Sequence, residues 1–166
     1  MASFFSFWEY PRREISNTGH HFITICTRNR MPYFGSIING HVDLTVVGKI
    51  AEFEFRKMVN NDQGAFLEDW VIMPNHVHAL FGPFSGDHTV AIRRFKTGVK
   101  SWTNLCGFDF QWQIRFHGYF VRDELELRRI RWYIRKNPVV WKSDTLNREN
   151  PLNLPKPRLW AIGDRR

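Results

Sequence analysis

An apolar run interrupted by a proline, VIMPNHVHALFGP at residues 71–83, constrains the fold more than any other stretch of the sequence. Proline cannot donate to a sheet ladder, and Pro-Asn favours a turn, so the run predicts two strands, or one strand bent at Pro74-Asn75. Residues at i and i+2 of a strand point to the same side. We therefore expect His76 and His78 to share one face, and Val77 to point to the opposite face and the core.

The rest of the chain divides into alternating stretches, which predict strands, and stretches with apolar residues at helical spacing. Strands are predicted at 20–30, 65–74, 76–83 and 110–122, helices at 45–61, 88–107 and 123–137, and a loop or short hairpin at 31–44. Thr45 and Asp123 are candidate N-caps, and Glu126 completes a capping box with Asp123. Gly107 is a candidate C-cap, and Pro138 ends the last helix.

The first six elements follow the order βαββαβ, which is the ferredoxin-like split unit of the α+β class. We expect an antiparallel sheet with two helices on one face, leaving the other face for a ligand or for the last helix. The predicted division is an N-terminal arm at 1–19, a catalytic domain at 20–141 and a Pro-containing tail at 142–166.

The charge balance predicts a polyanionic partner. Lys and Arg total 24 against 16 Asp and Glu, a formal net charge of +8, which favours nucleic acid. No apolar run approaches the roughly 18 residues that a membrane helix needs, and the N-terminus lacks the pattern of a signal peptide. We expect a cytoplasmic protein without a membrane partner.

The two histidines are candidate metal ligands. Two neutral imidazoles on one face can share a divalent ion, although this spacing also occurs in ordinary half-exposed polar pairs. The chain has no CxxC or HExxH pattern that would indicate a zinc site. Two histidines, one oxygen ligand and waters suit Mg²⁺ or Mn²⁺ acting on phosphates.

The predicted last helix carries a candidate nucleophile. Tyr133 and Asn137 lie at i and i+4 and share a face, within the basic stretch RRIRWYIRKNP at 128–138. A tyrosine hydroxyl can attack phosphorus where cations stabilise the developing charge, and Asn137 can supply an oxygen ligand. The ordinary alternative is a tyrosine that packs at the helix edge and forms a hydrogen bond.

PNHVH followed by YIRKNP resembles the signature of the single-tyrosine HUH transposases. FITICTRNR, YFG, FKTGVKSWT and QIRFHGYFVRDELELRRIRWYIRKNPVVW extend the resemblance, in order, over residues 20–141. The Pro-containing tail and NPVVW most resemble the REP-associated tyrosine transposases. The resemblance implies a metal site at His76, His78 and Asn137, with Tyr133 as the nucleophile.

The implied reaction is a metal-assisted transesterification of single-stranded DNA at hairpin-bearing ends. Tyr133 would keep the 5′ phosphate as a phosphotyrosine and free a 3′-OH, with no need for ATP. Relatives work as monomers in cis or as dimers in which the tyrosine helix serves the partner, so either a monomer or a homodimer is expected. A bacterial, nucleoid-associated location follows from the same resemblance.

The sequence departs from the family at one place. Many relatives carry an acidic residue and a histidine before the last helix, where this chain has Gly118-Tyr119 after His117. Tyr119 is therefore a rival nucleophile, ranked below Tyr133. Two rival functions also stay open: an HUH replication initiator or relaxase, and a non-catalytic module that binds hairpin DNA or RNA.

Basic residues spread over the chain are candidate contacts to the phosphates of single-stranded or hairpin DNA. The candidates are Arg12, Arg13, Arg28, Arg30, Arg93, Arg94, Lys96, Lys100, Arg115, Arg129, Arg135 and Lys136.

Overall fold

The computed structural model describes residues 19–60, 67–83 and 88–147. Its strands are β1 (His21–Cys26), β2 (Gly35–Ile38), β3 (His41–Leu44), β4 (Leu67–Met73), β5 (His76–Phe81) and β6 (His117–Phe120). Its helices are α1 (Val46–Asn60), α2 (His88–Leu105) and α3 (Glu124–Lys136), with short 3-10 turns at Arg28–Arg30 and Trp141–Ser143. All of the predicted arm except Gly19, and most of the predicted tail, lie outside the described residues.

Four strands form one antiparallel sheet in the order β4-β5-β1-β6. Leaving aside the small β2-β3 hairpin inserted before α1, the chain order is βαββαβ followed by α3. This order and pairing confirm the predicted ferredoxin-like α+β fold. β5 lies between β4 and β1, so the histidine-bearing strand is central.

Strand alternation divides the sheet into two apolar layers. Val77, Ala79 and Phe81 of β5 pack with α1 and α2 in the larger core. Leu80 packs on the opposite face with Phe22 and with the apolar stripe of α3. Val77 faces the core as predicted, and α3 covers the face that βαββαβ leaves open.

The cap residues act largely as the sequence indicates. Thr45 Oγ1 accepts a hydrogen bond from Gly48 N (3.1 Å), and Asp123 Oδ1 accepts one from Glu126 N (2.8 Å). Gly107 has the positive φ of a helix C-terminus (76°). The capping box is displaced by one residue, because Glu126 Oε2 accepts from Arg122 N rather than from Asp123 N.

Two strand predictions were too long. The stretch 20–30 leaves the sheet after Cys26 and enters a 3-10 turn. Of 110–122, only His117–Phe120 pairs regularly with β1. The physical reason is that the aromatic side chains of 110–112 pack into the larger core, while Lys96 Nζ on α2 donates to the carbonyls of Gln113 (2.8 Å) and Ile114 (3.0 Å).

None of the helices in the described ranges has the length and apolar character needed to cross a membrane. Of the two cysteines, Cys26 is buried and Cys106 is exposed. Cys106 follows the last turn of α2.

Gly48 allows α1 to start directly against the chain entering β2. A Cβ at this position would lie 2.0 Å from the carbonyl oxygen of Phe34, which itself accepts a hydrogen bond from Thr45 N (3.0 Å). Alanine in a helix is normally favoured over glycine by about 1 kcal/mol. Here the backbone clash reverses the sign, and we expect Gly48→Ala to lower the free energy of unfolding by about 2 kcal/mol.

Urea unfolding of Gly48→Ala against Lys49→Ala measures this effect, since Lys49 is exposed on the same helical turn. The control should stay within about 0.5 kcal/mol of the parent. A Gly48→Ala protein as stable as the parent would show that α1 does not pack this closely.

Candidate active site

His76 and His78 lie side by side on the α3 face of β5, and both are buried. Their Nε2 atoms are 3.1 Å apart, and the ring centroids are 4.5 Å apart. The structure therefore brings together the two imidazoles that the sequence placed on one face. Their ring nitrogens converge on a common point.

The hydrogen bonds of Asn75 determine the tautomer of His76. Asn75 Nδ2 donates to two backbone carbonyls, those of Arg30 (3.2 Å) and Leu146 (2.8 Å), which identifies the amide nitrogen. The remaining amide atom, Oδ1, lies 2.9 Å from His76 Nδ1 and can only accept. His76 Nδ1 must therefore carry the proton, and a neutral His76 presents an Nε2 lone pair.

Thr24 holds His78 in the corresponding way. Thr24 Oγ1 on β1 is 2.8 Å from His78 Nδ1, and Phe22 stacks on the imidazole with the centroids 5.2 Å apart. When the hydroxyl accepts from Nδ1, Nε2 of His78 is also unprotonated. The Nε2 lone pairs of His76 and His78, 3.1 Å apart, repel each other unless a proton or a cation lies between them. Two ring nitrogens placed in this way can act as ligands of one shared ion.

Tyr133 reaches this site from α3. Its hydroxyl oxygen is 3.3 Å from His78 Nε2, and its ring lies against that of His78. Burial raises the pKa of the Tyr133 phenol, and the negative charge of Asp144 raises it further, while the Asn137 amide opposes both effects. The phenol is therefore protonated at neutral pH, and an attack by its oxygen requires positive charge nearby.

Asn137 fits the position of an oxygen ligand. It ends α3 and is fully buried, yet neither Oδ1 nor Nδ2 forms a hydrogen bond of ordinary geometry. A buried amide without such partners costs about 1–3 kcal/mol unless another ligand satisfies it. Across the described ranges no three His, Cys, Asp or Glu side chains form a metal-binding group, so a carboxamide is the available third donor.

The segment that follows α3 returns to the site. The Trp141 ring lies 6.0 Å from that of His76, and Arg30 Nη1 donates to the carbonyl of Thr145 (3.2 Å). Asp144 is fully buried and accepts a hydrogen bond from Leu146 N (2.7 Å). Sequence reasoning missed Asp144 and Asn75; only the adjacency of Asn75 to His76 could have indicated a role.

Two ion pairs attach α3 to the edge strand β4. Arg131 Nη2 donates to Glu68 Oε2 (2.5 Å), and Arg135 Nε donates to Asp69 Oδ2 (2.9 Å). Glu68 Oε1 also lies 2.9 Å from His20 Nε2. Burial alone would raise the pKa of Glu68, but the hydrogen bonds and charges of Arg131 and His20 hold it below its usual value.

The departure at 118–119 has a structural role. A Cβ at Gly118 would lie 2.6 Å from His21 Nε2, so the ring of His21 occupies the space of a side chain there. The Tyr119 hydroxyl donates to Glu126, and burial with this hydrogen bond raises the pKa of Tyr119. The Tyr119 hydroxyl is thus bound to a carboxylate, whereas the Tyr133 hydroxyl contacts His78.

The predicted phosphate contacts lie on several elements, and some of them bind groups within the protein. Lys96 and Lys100 donate to backbone carbonyls between 110 and 114, Arg28 donates to Gln111, and Arg135 is paired with Asp69. Arg93, Arg94, Arg115 and Lys136 are exposed, and Arg129 is half-buried. Arg12 and Arg13 lie outside the described residues, and DNA contact by any of the twelve stays a prediction.

No family model matches the chain. An uncharacterised protein of Haemophilus influenzae is 30% identical, over 77% of this chain and 84% of that protein. A REP-associated tyrosine transposase of Escherichia coli K12 is 31% identical over 49% of this chain and 48% of its own length, so this match spans about half of that relative. A solved REP-associated tyrosine transposase bound to a REP hairpin is 27% identical, covers 79% of this chain and 72% of that chain, and has a TM-score of 0.59.

The antiparallel α+β fold and the matches to known proteins identify the class of protein as a tyrosine transposase. Within that class, the chain belongs to the family of the REP-associated tyrosine transposases.

Asn75 offers a test of the site geometry that does not depend on activity. In Asn75→Asp, one carboxylate oxygen can still accept from His76 Nδ1, so we expect His76 to keep its Nδ1–H tautomer. In Asn75→Ala this acceptor is lost, and we expect a mixture of both tautomers. ¹⁵N chemical shifts of the imidazole nitrogens distinguish the two forms.

Both variants lose the donors to the carbonyls of Arg30 and Leu146, so the comparison between them isolates the acceptor. Asn104→Ala, at an exposed position of α2, serves as a surface control. Identical tautomer populations in Asn75→Ala and the parent would refute the assignment of the His76 proton to Asn75.

Proposed function

We propose that this protein is a metal-dependent endonuclease and strand transferase for single-stranded DNA, acting at hairpin-bearing ends through a 5′-phosphotyrosine intermediate. The observation that supports the proposal most directly is the contact of the Tyr133 hydroxyl with His78 Nε2 (3.3 Å), beside the converging Nε2 atoms of the pair. A nucleophile, a ligand pair and a buried oxygen donor then lie within one site.

In the proposed reaction the Tyr133 oxygen attacks the scissile phosphorus. A tyrosine–phosphate ester forms, the bond from phosphorus to the 3′ oxygen breaks, the phenolic proton passes to solvent, and the departing 3′ oxygen takes up a proton. One phosphodiester is exchanged for another, so the link stays available for rejoining by a 3′-OH. His76 and His78 are not needed as bases in this scheme, because their Nε2 atoms serve as ligands.

His76, His78 and the Oδ1 of Asn137 would hold Mg²⁺ or Mn²⁺. The buried Asn137 amide, which has no hydrogen bond of ordinary geometry, and the lone pairs directed by Asn75 and Thr24 fit such an ion. When bound, the ion would supply positive charge to the scissile phosphate and to the developing tyrosine anion. Asn75 and Thr24 orient the rings, and α3 supplies both Tyr133 and Asn137 from consecutive turns.

Hairpin DNA is the proposed substrate because a solved relative is bound to a REP hairpin. The net charge of +8 suits a phosphate backbone.

Covalent capture tests the nucleophile. The protein is mixed with a 3′-labelled single-stranded oligonucleotide carrying a hairpin and its flank, Mn²⁺ is added, and the products are separated on a denaturing gel. We expect a labelled protein band in the parent and in Tyr119→Phe, and no band in Tyr133→Phe, because the Tyr133 hydroxyl contacts His78 whereas the Tyr119 hydroxyl is bound to Glu126. Tyr133→Phe should still bind the hairpin, and a covalent band in this variant would refute the assignment.

Metal binding tests the ligand set separately from the chemistry. Titration with Mn²⁺, followed by electron paramagnetic resonance of the free ion, should show affinity reduced at least about tenfold in His76→Ala and in Asn137→Ala. His117→Ala is a matched control, since His117 is exposed on β6. Unchanged Mn²⁺ affinity in both ligand variants would refute the proposed site.

A further inference from the structure

Helix α3 presents a second stripe of residues, away from its buried side. Five residues of this outer stripe recur at i, i+3, i+4, i+7 and i+11: Leu125, Arg128, Arg129, Trp132 and Lys136. Trp132 is 59% exposed and Leu125 is 58% exposed, whereas the apolar residues of the inner stripe are buried. An exposed indole flanked by arginines has the composition of a binding surface, because Trp and Arg are enriched at the centres of interfaces.

The helix divides its basic residues into two sets. Arg131 and Arg135 are paired with Glu68 and Asp69, and so attach the helix to the sheet. The side chains of the three cations of the outer stripe form neither an ion pair nor a hydrogen bond with any residue in the described ranges. The stripe contains no acidic residue, so this surface offers three unneutralised charges around one aromatic ring.

We propose that the outer stripe binds the single-stranded DNA that flanks the scissile phosphate, with Trp132 stacking on an unpaired base. Arg128, Arg129 and Lys136 would then contact the phosphates on either side of that base. Aromatic rings interleaved with cations are the usual means of holding single strands, because every base has a face that can stack. This inference rests on the proposed function and names the part of the substrate that the stripe would recognise.

The helical geometry joins the stripe to the nucleophile. Trp132 and Tyr133 are consecutive, so their side chains leave the helix about 100° apart. Arg129 is one turn before both, and Lys136 is one turn after both, so these two cations lie between the two aromatic side chains. A DNA strand whose scissile phosphate lies at Tyr133 therefore passes over Arg129 and Lys136, and its next unpaired base then lies at Trp132.

The same features argue against the other occupants of an exposed aromatic stripe. If a second copy of the chain packed through this surface, the three cations of one copy would lie opposite the same three cations of the other, and the like charges would repel. A lipid surface would favour a longer apolar stripe than one leucine and one tryptophan. Charge complementarity selects a polyanion, and the exposed indole selects one with unpaired bases rather than a closed duplex.

Fluorescence anisotropy with two probes tests the proposal in a Tyr133→Phe parent, which cannot cleave by the proposed route. One probe is a bare hairpin, and the other is the same hairpin with a single-stranded extension. We expect the extension to tighten binding in the parent. Trp132→Leu should reduce the affinity for the extended probe by about tenfold, from the loss of one stacked base, and leave the affinity for the bare hairpin unchanged.

Two further variants separate stacking from general surface effects. Trp132→Phe keeps an aromatic face and should recover most of the gain from the extension. Trp102→Leu removes another exposed tryptophan, on α2, and should leave that gain unchanged. Lys136→Ala should lower the dependence of log affinity on log salt for the extended probe by about one unit.

The outcomes distinguish this inference from the function on which it rests. If the parent binds neither probe, the proposed function fails and the inference fails with it. If the parent binds both probes with no gain from the extension, or if Trp132→Leu keeps the full gain, the stripe is not a stacking surface and the proposed function stands. A Trp132→Leu protein that changes from dimer to monomer in light scattering would also overturn the proposal, in favour of a self-association surface.

Discussion

The alternation of side chains along β5 is the constraint on which the rest of this molecule depends. β5 is paired on both edges, with β4 and β1, so its register cannot slip by one residue without exchanging the two faces. In the observed register Val77, Ala79 and Phe81 enter the larger core, and His76 and His78 enter the site. The free energy of burying the three apolar residues thus also holds the histidines in place.

Helix α3 is positioned by a different balance of forces. Leu127, Ile130 and Ile134 bury its apolar stripe on the sheet, which fixes its distance from β5 but leaves rotation and sliding less restricted. The pairs of Arg131 with Glu68 and of Arg135 with Asp69 restrict these motions from the edge strand. Partly exposed ion pairs contribute only about 1 kcal/mol each, so their effect is on the placement of the tyrosine more than on stability.

The sequence predicted what periodicity and turn chemistry control. The βαββαβ order, the break at Pro74-Asn75, the shared face of His76 and His78 and the N-caps of α1 and α3 are local properties, and the structure confirms them. The length of the last strand was wrong, because the aromatic residues at 110–112 are pulled into the core and away from the sheet. Alternation in the sequence cannot distinguish a paired strand from an extended segment anchored by its side chains.

Only the site residues indicated by the family resemblance or by helical spacing could be predicted from the sequence. Tyr133 and Asn137 share a helix face by their i and i+4 spacing, and that spacing is visible in the sequence. The contributions of Asn75 and Thr24 depend on hydrogen bonds between chain segments up to 71 positions apart, and Asp144 acts on Tyr133 through its charge. No local pattern encodes such contacts, and Asp144 in particular lies in what the sequence indicated as a surface tail.

The burial and the charges around Tyr133 favour its protonated phenol. Two neutral imidazoles and one amide contribute no negative charge, so these donors would hold a divalent ion without neutralising it. The buried Asp144 carboxylate and the burial of the ring both raise the pKa of Tyr133, which keeps the phenol protonated. In the proposed reaction the missing negative charge is that of the substrate phosphate. A cation and a phosphodiester would then favour each other's binding, and the tyrosine would become nucleophilic only when both are present.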